Sequence, residues 1–200
     1  MKYGAIILSA GKGTRFGGQK QFIKFKGMQL WEIVKEKAAQ VITDNLVVVG
    51  VDVEGGSTRT ESVRIGLNQL AADTDRVIIL EAARPLVTIE QIKTLLNDEA
   101  KSVSFVMPLV NTVIYKNGDY INREEVYELL TPQAFDYKLL KEAYDKDTNG
   151  VFTDETRVIY ETFGIKPKFI ETTQNLFKVT YKRDISIITE IDNLMKEELI

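Results

Sequence analysis

The sequence predicts an α/β fold in which a mostly parallel sheet is covered by helices on both faces, and three observations carry that prediction. Short β-branched runs alternate with helical patterns along most of the chain. The helical stretches are amphipathic, with apolar residues recurring every three or four positions. No repeat, low-complexity tract or linker divides the series, and 200 residues with 44% hydrophobic content suffice for one well-buried core but not for two large domains. The expected architecture is a single Rossmann-like layered domain over residues 1–200.

In chain order, strands are expected at Gly4–Leu8, Leu46–Val51, Arg76–Glu81 and Ser104–Pro108, with helices at Leu30–Val41, Thr60–Ala71 and Ile89–Leu96 between them. The segment TVIYKNGDYIN, Thr112–Asn122, breaks the alternation. Its strand-like halves flank Asn117-Gly118, a dipeptide suited to a two-residue type I′ turn, so it reads as a β-hairpin. A parallel sheet offers such a hairpin no antiparallel neighbour, and it is expected to protrude as an arm over about residues 112–123. Helices around Tyr137–Tyr144 and at Asp154–Phe163, strands at Lys168–Glu171 and Phe177–Thr180, and a last amphipathic helix over Arg183–Glu198 complete the chain.

Composition narrows the chemistry. The chain contains neither Cys nor His, which removes thiol nucleophiles, disulfides and imidazole acid/base chemistry. Any catalysis rests on carboxylates, Lys, Arg, hydroxyls, backbone dipoles or a metal held by oxygen. A formal charge of −3 gives no global positive field to recruit nucleic acid or an acidic membrane, so basic groups must act locally. The apolar run Tyr3–Ala10 is too short for a signal-peptide core or a membrane span, and a cytoplasmic protein is expected.

That local basic cluster follows the first strand. SAGKGTRFGGQKQF places glycines beside Lys12, Arg15 and Lys20, a combination suited to a polyanion. It is not a P-loop, which needs Gly, four residues and Gly-Lys-Ser/Thr. Nor is it the dinucleotide fingerprint, because Gly17 falls one residue late after Gly11 and Gly13.

The cluster opens an ordered series: GGSTRTESVRIGL, ILEAARP, LTPQAF, FTDETRVIYETFG and LFKVTYKRD. Taken together over nearly the whole chain, the series resembles the cytidylyltransferases that activate methylerythritol phosphate and ribitol phosphate. The resemblance implies CMP transfer from CTP to a polyol phosphate with release of pyrophosphate, and Mg²⁺ bound mainly through the CTP phosphates. It implies that Ala10, Gly11 and Gly13 bring main-chain N–H groups to the triphosphate, and that Arg15, Lys20 and Lys178 are the catalytic cations. Gly56, Ser57 and Ser62 would read the base, while Thr58 or Thr60 caps the following helix. Glu81, Arg84, Thr112, Arg123, Thr131 and Thr153 fall on the acceptor side, Glu81 with a possible hold on the metal. In the family the arms of two subunits interlock, so the resemblance also implies a homodimer in which Arg123 reaches the partner's site.

Departures collect on the acceptor side. The family's usual aspartate is Glu81, its Asp-Thr is Asn111-Thr112, its Asn before the late lysine is Leu176, and the stretch before Gly55 is short. A ribitol-type acceptor, a sugar-phosphate nucleotidyltransferase and a non-catalytic nucleotide-binding paralogue therefore stay open beside the methylerythritol phosphate reading.

Overall fold

The computed structural model describes residues 1–146 and 152–199. The elements run β1 Tyr3–Leu8, a small hairpin of β2 Lys24–Phe25 and β3 Met28–Gln29, α1 Leu30–Ala39, β4 Leu46–Val49, α2 Arg59–Gln69, β5 Arg76–Glu81 and α3 Ile89–Asn97. They continue through β6 Ser102–Pro108, β7 Val113–Ile114, β8 Tyr120–Ile121, β9 Tyr127–Asp136, α4 Tyr137–Lys146, α5 Glu155–Phe163, β10 Lys168–Glu171 and α6 Asp184–Lys196. Side chains at the helix starts fix several boundaries. Thr58 accepts from the Glu61 N–H at 3.1 Å to begin α2, Thr88 and Gln91 form a reciprocal box at α3, and Asp154 caps α5 through the Thr156 N–H at 2.8 Å.

The main sheet has the order β10-β6-β9-β5-β1-β4. β1 is parallel to both β4 and β5, and β6 is parallel to β10. Strand alternation sends successive side chains to opposite faces. Ala5 and Ile7 of β1 join Val34 and Ala38 of α1 and Ile92 and Leu95 of α3 in one core. Ile6 joins Val63 and Leu67 of α2, Leu140 of α4 and Ile159 of α5 in the other. A third cluster ties Ile188 and Ile191 of α6 to Phe16, Leu30 and Val179. It anchors the glycine-rich loop to the C-terminal helix.

The sheet is mostly parallel, as expected, with one strand the periodicity does not reveal: β9 runs antiparallel between β5 and β6, and its Pro132 masks it, since proline cannot donate to a ladder and argues against a central strand. The structure accommodates Pro132 at an irregularity: pairing jumps from Ser104↔Gln133 to Val106↔Leu129, so Leu130, Thr131 and Pro132 leave the regular register. Two expectations need correction. Residues Phe177–Thr180 form no strand; they lie across the open end of the sheet, tied by the Val179 N–H to the Ala83 carbonyl at 2.9 Å. The arm is a hairpin of β7 and β8, but its loop is Lys116-Asn117-Gly118. The Tyr115 carbonyl accepts from Gly118 N–H at 2.9 Å, and Tyr115 N–H donates to Asp119 at 2.8 Å. Only Gly118 has positive φ there, +95°, which is the three-residue turn with a glycine bulge rather than a type I′ turn.

Candidate active site

β1 lies between β4 and β5, so the chain leaves β1 for one neighbour and returns to the other. Ligands of open α/β sheets bind at such a switch point, beyond the carboxyl ends of the strands. A cavity of about 340 Å³ opens there, walled by Ala10, Gly11, Lys20, Ser57, Glu81 and Lys178 among others. A second cavity of about 650 Å³ adjoins it and shares Lys178; Arg15, Arg84 and Arg183 line it.

The glycine-rich loop is folded on one carbonyl. Gly13 O accepts from the N–H groups of Phe16 and Gly17, both at 2.9 Å, and of Gly18 at 3.2 Å. Gly13 has φ +62°, and a Cβ on it would fall 1.8 Å from the Gly18 oxygen, so glycine is required. Gly13 therefore shapes the loop without lining the cavity. With Phe16 buried in the third cluster, Arg15 is turned outward into the second cavity. Lys20 remains in the first, its Nζ donating to the Val179 carbonyl at 2.5 Å. Burial, and then the nearby charges of Lys178 and Arg15, pull the Lys20 ammonium down to about 8, with Glu81 opposing them. Gln21 braces the loop from behind through the Gly11 carbonyl at 3.2 Å.

The GGSTR loop packs directly on this one: a Cβ on Gly55 would fall 2.1 Å from the Ala10 Cβ. Within it, Gly56 N–H donates to Ser62 Oγ at 3.1 Å, and that hydroxyl donates to the Thr58 carbonyl at 3.0 Å. Ser62 thus holds the loop's shape. Ser57 gives both its N–H and its hydroxyl to Glu61, at 2.6 and 2.7 Å. Of the two threonines, Thr58 caps α2, while Thr60 Oγ1 accepts from the Phe152 N–H at 2.8 Å.

Glu81 ends β5 at the wall between the cavities. It is paired with Lys178 and lies 3.5 Å from Arg59. Burial alone would raise its carboxyl, but Lys178, Arg59 and Arg84 hold it down at about 2. Arg59, which the motifs alone do not single out, joins this acid to a second one. It grips Glu155 with both guanidinium nitrogens, one contact at 2.9 Å, and Glu155 is fully buried and also accepts from the Tyr144 hydroxyl at 3.3 Å. Burial opposes the charge on Arg59, and Glu155 overcomes it, keeping the guanidinium protonated. The visible signal was the arginine of GGSTR paired with the acid of FTDETR.

Arg84 is buried at the second cavity, donating to Thr131 Oγ1 at 2.9 Å and to the Leu176 carbonyl. Thr131 thus positions Arg84. Lys37 of α1 holds the same loop through the Pro85 carbonyl at 2.7 Å. Thr112, Arg123 and Thr153 line neither cavity. Arg123 sits at the root of the arm, donating to the Val110 carbonyl at 2.5 Å, in a short turn that the Asn122 side chain caps. Thr153 is exposed just before the Asp154 cap.

Two adjoining cavities thus share Lys178, with Lys20 and glycine-rich backbone in the wall of the first, and comparisons with known proteins identify the family of the chain that builds them. The family profile described as IspD, 2-C-methyl-D-erythritol 4-phosphate cytidylyltransferase, matches residues 34–192. The chain belongs to the IspD family. It is accordingly a nucleotidyltransferase enzyme. A profile for MobA-like NTP transferase domains also matches residues 5–60, the stretch that carries both loops. Among IspD relatives, the Caldicellulosiruptor bescii protein is 32% identical over 96% of this chain and 97% of its own. The Thermotoga neapolitana protein is 32% identical over 92% and 93%. The 4-diphosphocytidyl-2C-methyl-D-erythritol synthase structure from Anaerococcus prevotii superposes with a TM-score of 0.80 at 25% identity, covering 96% of this chain and 98% of that one. The bifunctional IspDF structure from Campylobacter jejuni gives 0.81 at 27% identity over 93% of this chain, which spans 54% of that longer one. No helix among the described residues is long and apolar enough to cross a membrane.

Proposed function

We propose that this IspD-family enzyme transfers CMP from CTP to 2-C-methyl-D-erythritol 4-phosphate and releases pyrophosphate. The observation that carries the reading is Lys178, which lines both cavities and stands beside Lys20 where a nucleotide and an acceptor would meet. The acceptor phosphate is ionised at neutral pH, so its oxygen attacks the α-phosphorus of CTP without a general base. A new P–O bond forms, the bond from the α-phosphorus to the bridging oxygen breaks, and pyrophosphate leaves with that electron pair. The protein contributes positioning and charge neutralisation. Lys20 and Lys178 supply the charge, and the absence of Cys and His costs the reaction nothing.

In this reading the triphosphate lies along Ala10–Lys12, and the base sits against Gly56 and Ser57, with Ser62 holding their loop. Met107, Leu130 and Ile187 give the second cavity an apolar wall. That wall favours a methyl-branched acceptor over the more uniformly hydroxylated ribitol 5-phosphate. The site residues do not form a metal centre of their own: Glu81, the one carboxylate lining the first cavity, is engaged by Lys178 and Arg59. Among the described residues no cluster of three acids could hold an ion. We therefore assign Mg²⁺ to the phosphates of CTP, where its charge would add to that of the lysines.

Calorimetry with CTP, UTP and ATP, followed by pyrophosphate release with 2-C-methyl-D-erythritol 4-phosphate and ribitol 5-phosphate, tests the assignment. Preference for CTP and the methylerythritol ester is expected. Equal turnover of ribitol 5-phosphate would move the enzyme to the other acceptor class, and binding without any turnover would make it a nucleotide-binding protein.

A further inference from the structure

Glu81 is shared by two cations that differ in freedom. Its carboxylate faces Arg59 with Oε1 and Lys178 with Oε2, so neither cation competes for the other's oxygen. Arg59 is fixed from behind. Both of its terminal nitrogens are on Glu155, and Glu155 is held in turn by full burial in the first turn of α5, whose start Asp154 caps, and by the Tyr144 hydroxyl. The nitrogen that meets Glu155 Oε2 at 2.9 Å is the one that lies 3.5 Å from Glu81 Oε1. Lys178 has no such anchor. Its side chain is 38% exposed against 24% for Arg59, Glu81 is its one ammonium partner among the described residues, and it borders both cavities.

That difference decides what happens when a phosphate occupies the junction of the cavities. An ammonium paired with a carboxylate offers a phosphate little net charge, so Lys178 serves the substrates only by turning away from Glu81. The carboxylate left behind is buried, and an unpaired buried charge is costly. Arg84, the next cation, already donates to Thr131 and to the Leu176 carbonyl. Arg59, held on Glu155, stays beside Glu81.

We infer that Arg59 is a positioning residue for the transfer reaction: anchored on Glu155, it keeps Glu81 paired while Lys178 moves from that carboxylate to the substrate phosphates. The inference rests on the proposed function in taking the junction as a phosphate site. The role is indirect, since Arg59 acts through Glu81 on the ease with which Lys178 is released.

The test is whether removing the charge of Glu81 cancels the effect of removing Arg59. Arg59→Met alone leaves Glu155 underpaired in the core, so the protein without the guanidinium is Arg59→Met/Glu155→Gln, with Glu155→Gln as the control that keeps it; melting curves accompany each variant. Calorimetry on the full chain gives dissociation constants for Mg²⁺-bound CTP and for Mg²⁺-bound pyrophosphate, and turnover with both substrates is assayed alongside. Arg59→Met/Glu155→Gln should bind both ligands about ten- to hundredfold more weakly than the parent or Glu155→Gln. Arg59→Lys, which keeps a cation, should fall between. Glu81→Gln should bind at least as tightly as the parent, and adding it to Arg59→Met/Glu155→Gln should restore binding to within about threefold of Glu81→Gln alone. A purely structural defect in the loop would persist in that triple variant. Persistence of the full loss there, or unchanged binding in Arg59→Met/Glu155→Gln, overturns the inference, as does a parent that binds neither ligand. Suppression by Glu81→Gln in a protein that does not turn over CTP leaves the inference standing and removes the proposed function instead.

Discussion

Arg59→Met removes a guanidinium that connects the GGSTR loop to two acids while keeping much of the side chain's bulk. In the parent, Arg59 grips both oxygens of Glu155 and approaches Glu81 at 3.5 Å. Glu155 has 0% exposure and would retain only the Tyr144 hydroxyl. Breaking a buried pair from one side leaves an uncompensated charge, at a cost of about 3–5 kcal/mol. In a domain of this size each kcal/mol corresponds to about 2–4 °C, so thermal unfolding followed by circular dichroism should show a loss of about 6–20 °C. Glu155→Gln should also destabilise, because it leaves the cation of Arg59 underpaired. The double variant leaves neither charge buried alone and should lose less than the sum, with a coupling of at least about 0.5 kcal/mol. An Arg59→Met melting point within about 1 °C of the parent, or strictly additive losses, would refute the reasoning.

Three further outcomes follow from the charges of the site. Because the folded-state carboxyl of Glu81 is held at about 2 against an ordinary 4.5, its stabilising contribution is complete above about pH 4.5 and is lost as pH falls through 2; acid titration of stability should therefore be shallower in Glu81→Gln than in the parent across that window. Lys20 has the opposite linkage. Lowered from 10.5 to about 8, it costs folding stability while charged, so stability should rise from pH 8 to 10.5, Lys20→Met should be no less stable than the parent at pH 7, and CTP affinity should fall above pH 8; a flat affinity profile from pH 7 to 9 would contradict this. If the enzyme is a homodimer whose arms bring Arg123 to the partner's site, mixing inactive Arg123→Ala and Lys20→Ala chains should restore activity, because one site of the mixed dimer collects both intact residues; exchange of subunits without recovery would confine Arg123 to its own chain.

The residues that line the first cavity are legible in the sequence because they are local to one another. Lys20, Gly56, Ser57 and Ser62 lie within two short loops, and the sequence order of glycines, cations and small hydroxyls already brought them close. The alternating strand and helix patterns likewise located β1, β4, β5 and β6. What escaped depends on long-range pairing. β9 carries a proline that contradicts its local propensity and is held by two neighbouring strands. The Phe177–Thr180 segment has strand-like residues, but at its place one backbone contact to Ala83 and the packing of Val179 decide its course. Arg59 and Glu155 are 96 residues apart and meet only through the fold. The cavity that Arg15 lines is likewise set by the fold, through the turn on Gly13 and the burial of Phe16.

The most direct test is phosphorus NMR of the reaction between CTP and 2-C-methyl-D-erythritol 4-phosphate, run with the parent and with Lys20→Ala at pH 7. The parent should yield a new diphosphate diester and free pyrophosphate in equal amounts. Lys20→Ala should yield the same products about 10²–10³-fold more slowly while remaining folded, the loss typical of a preorganised group that stabilises charge in the transition state. No diester from the parent, or a near-parental rate from Lys20→Ala, would contradict the placement of the reacting phosphorus between Lys20 and Lys178.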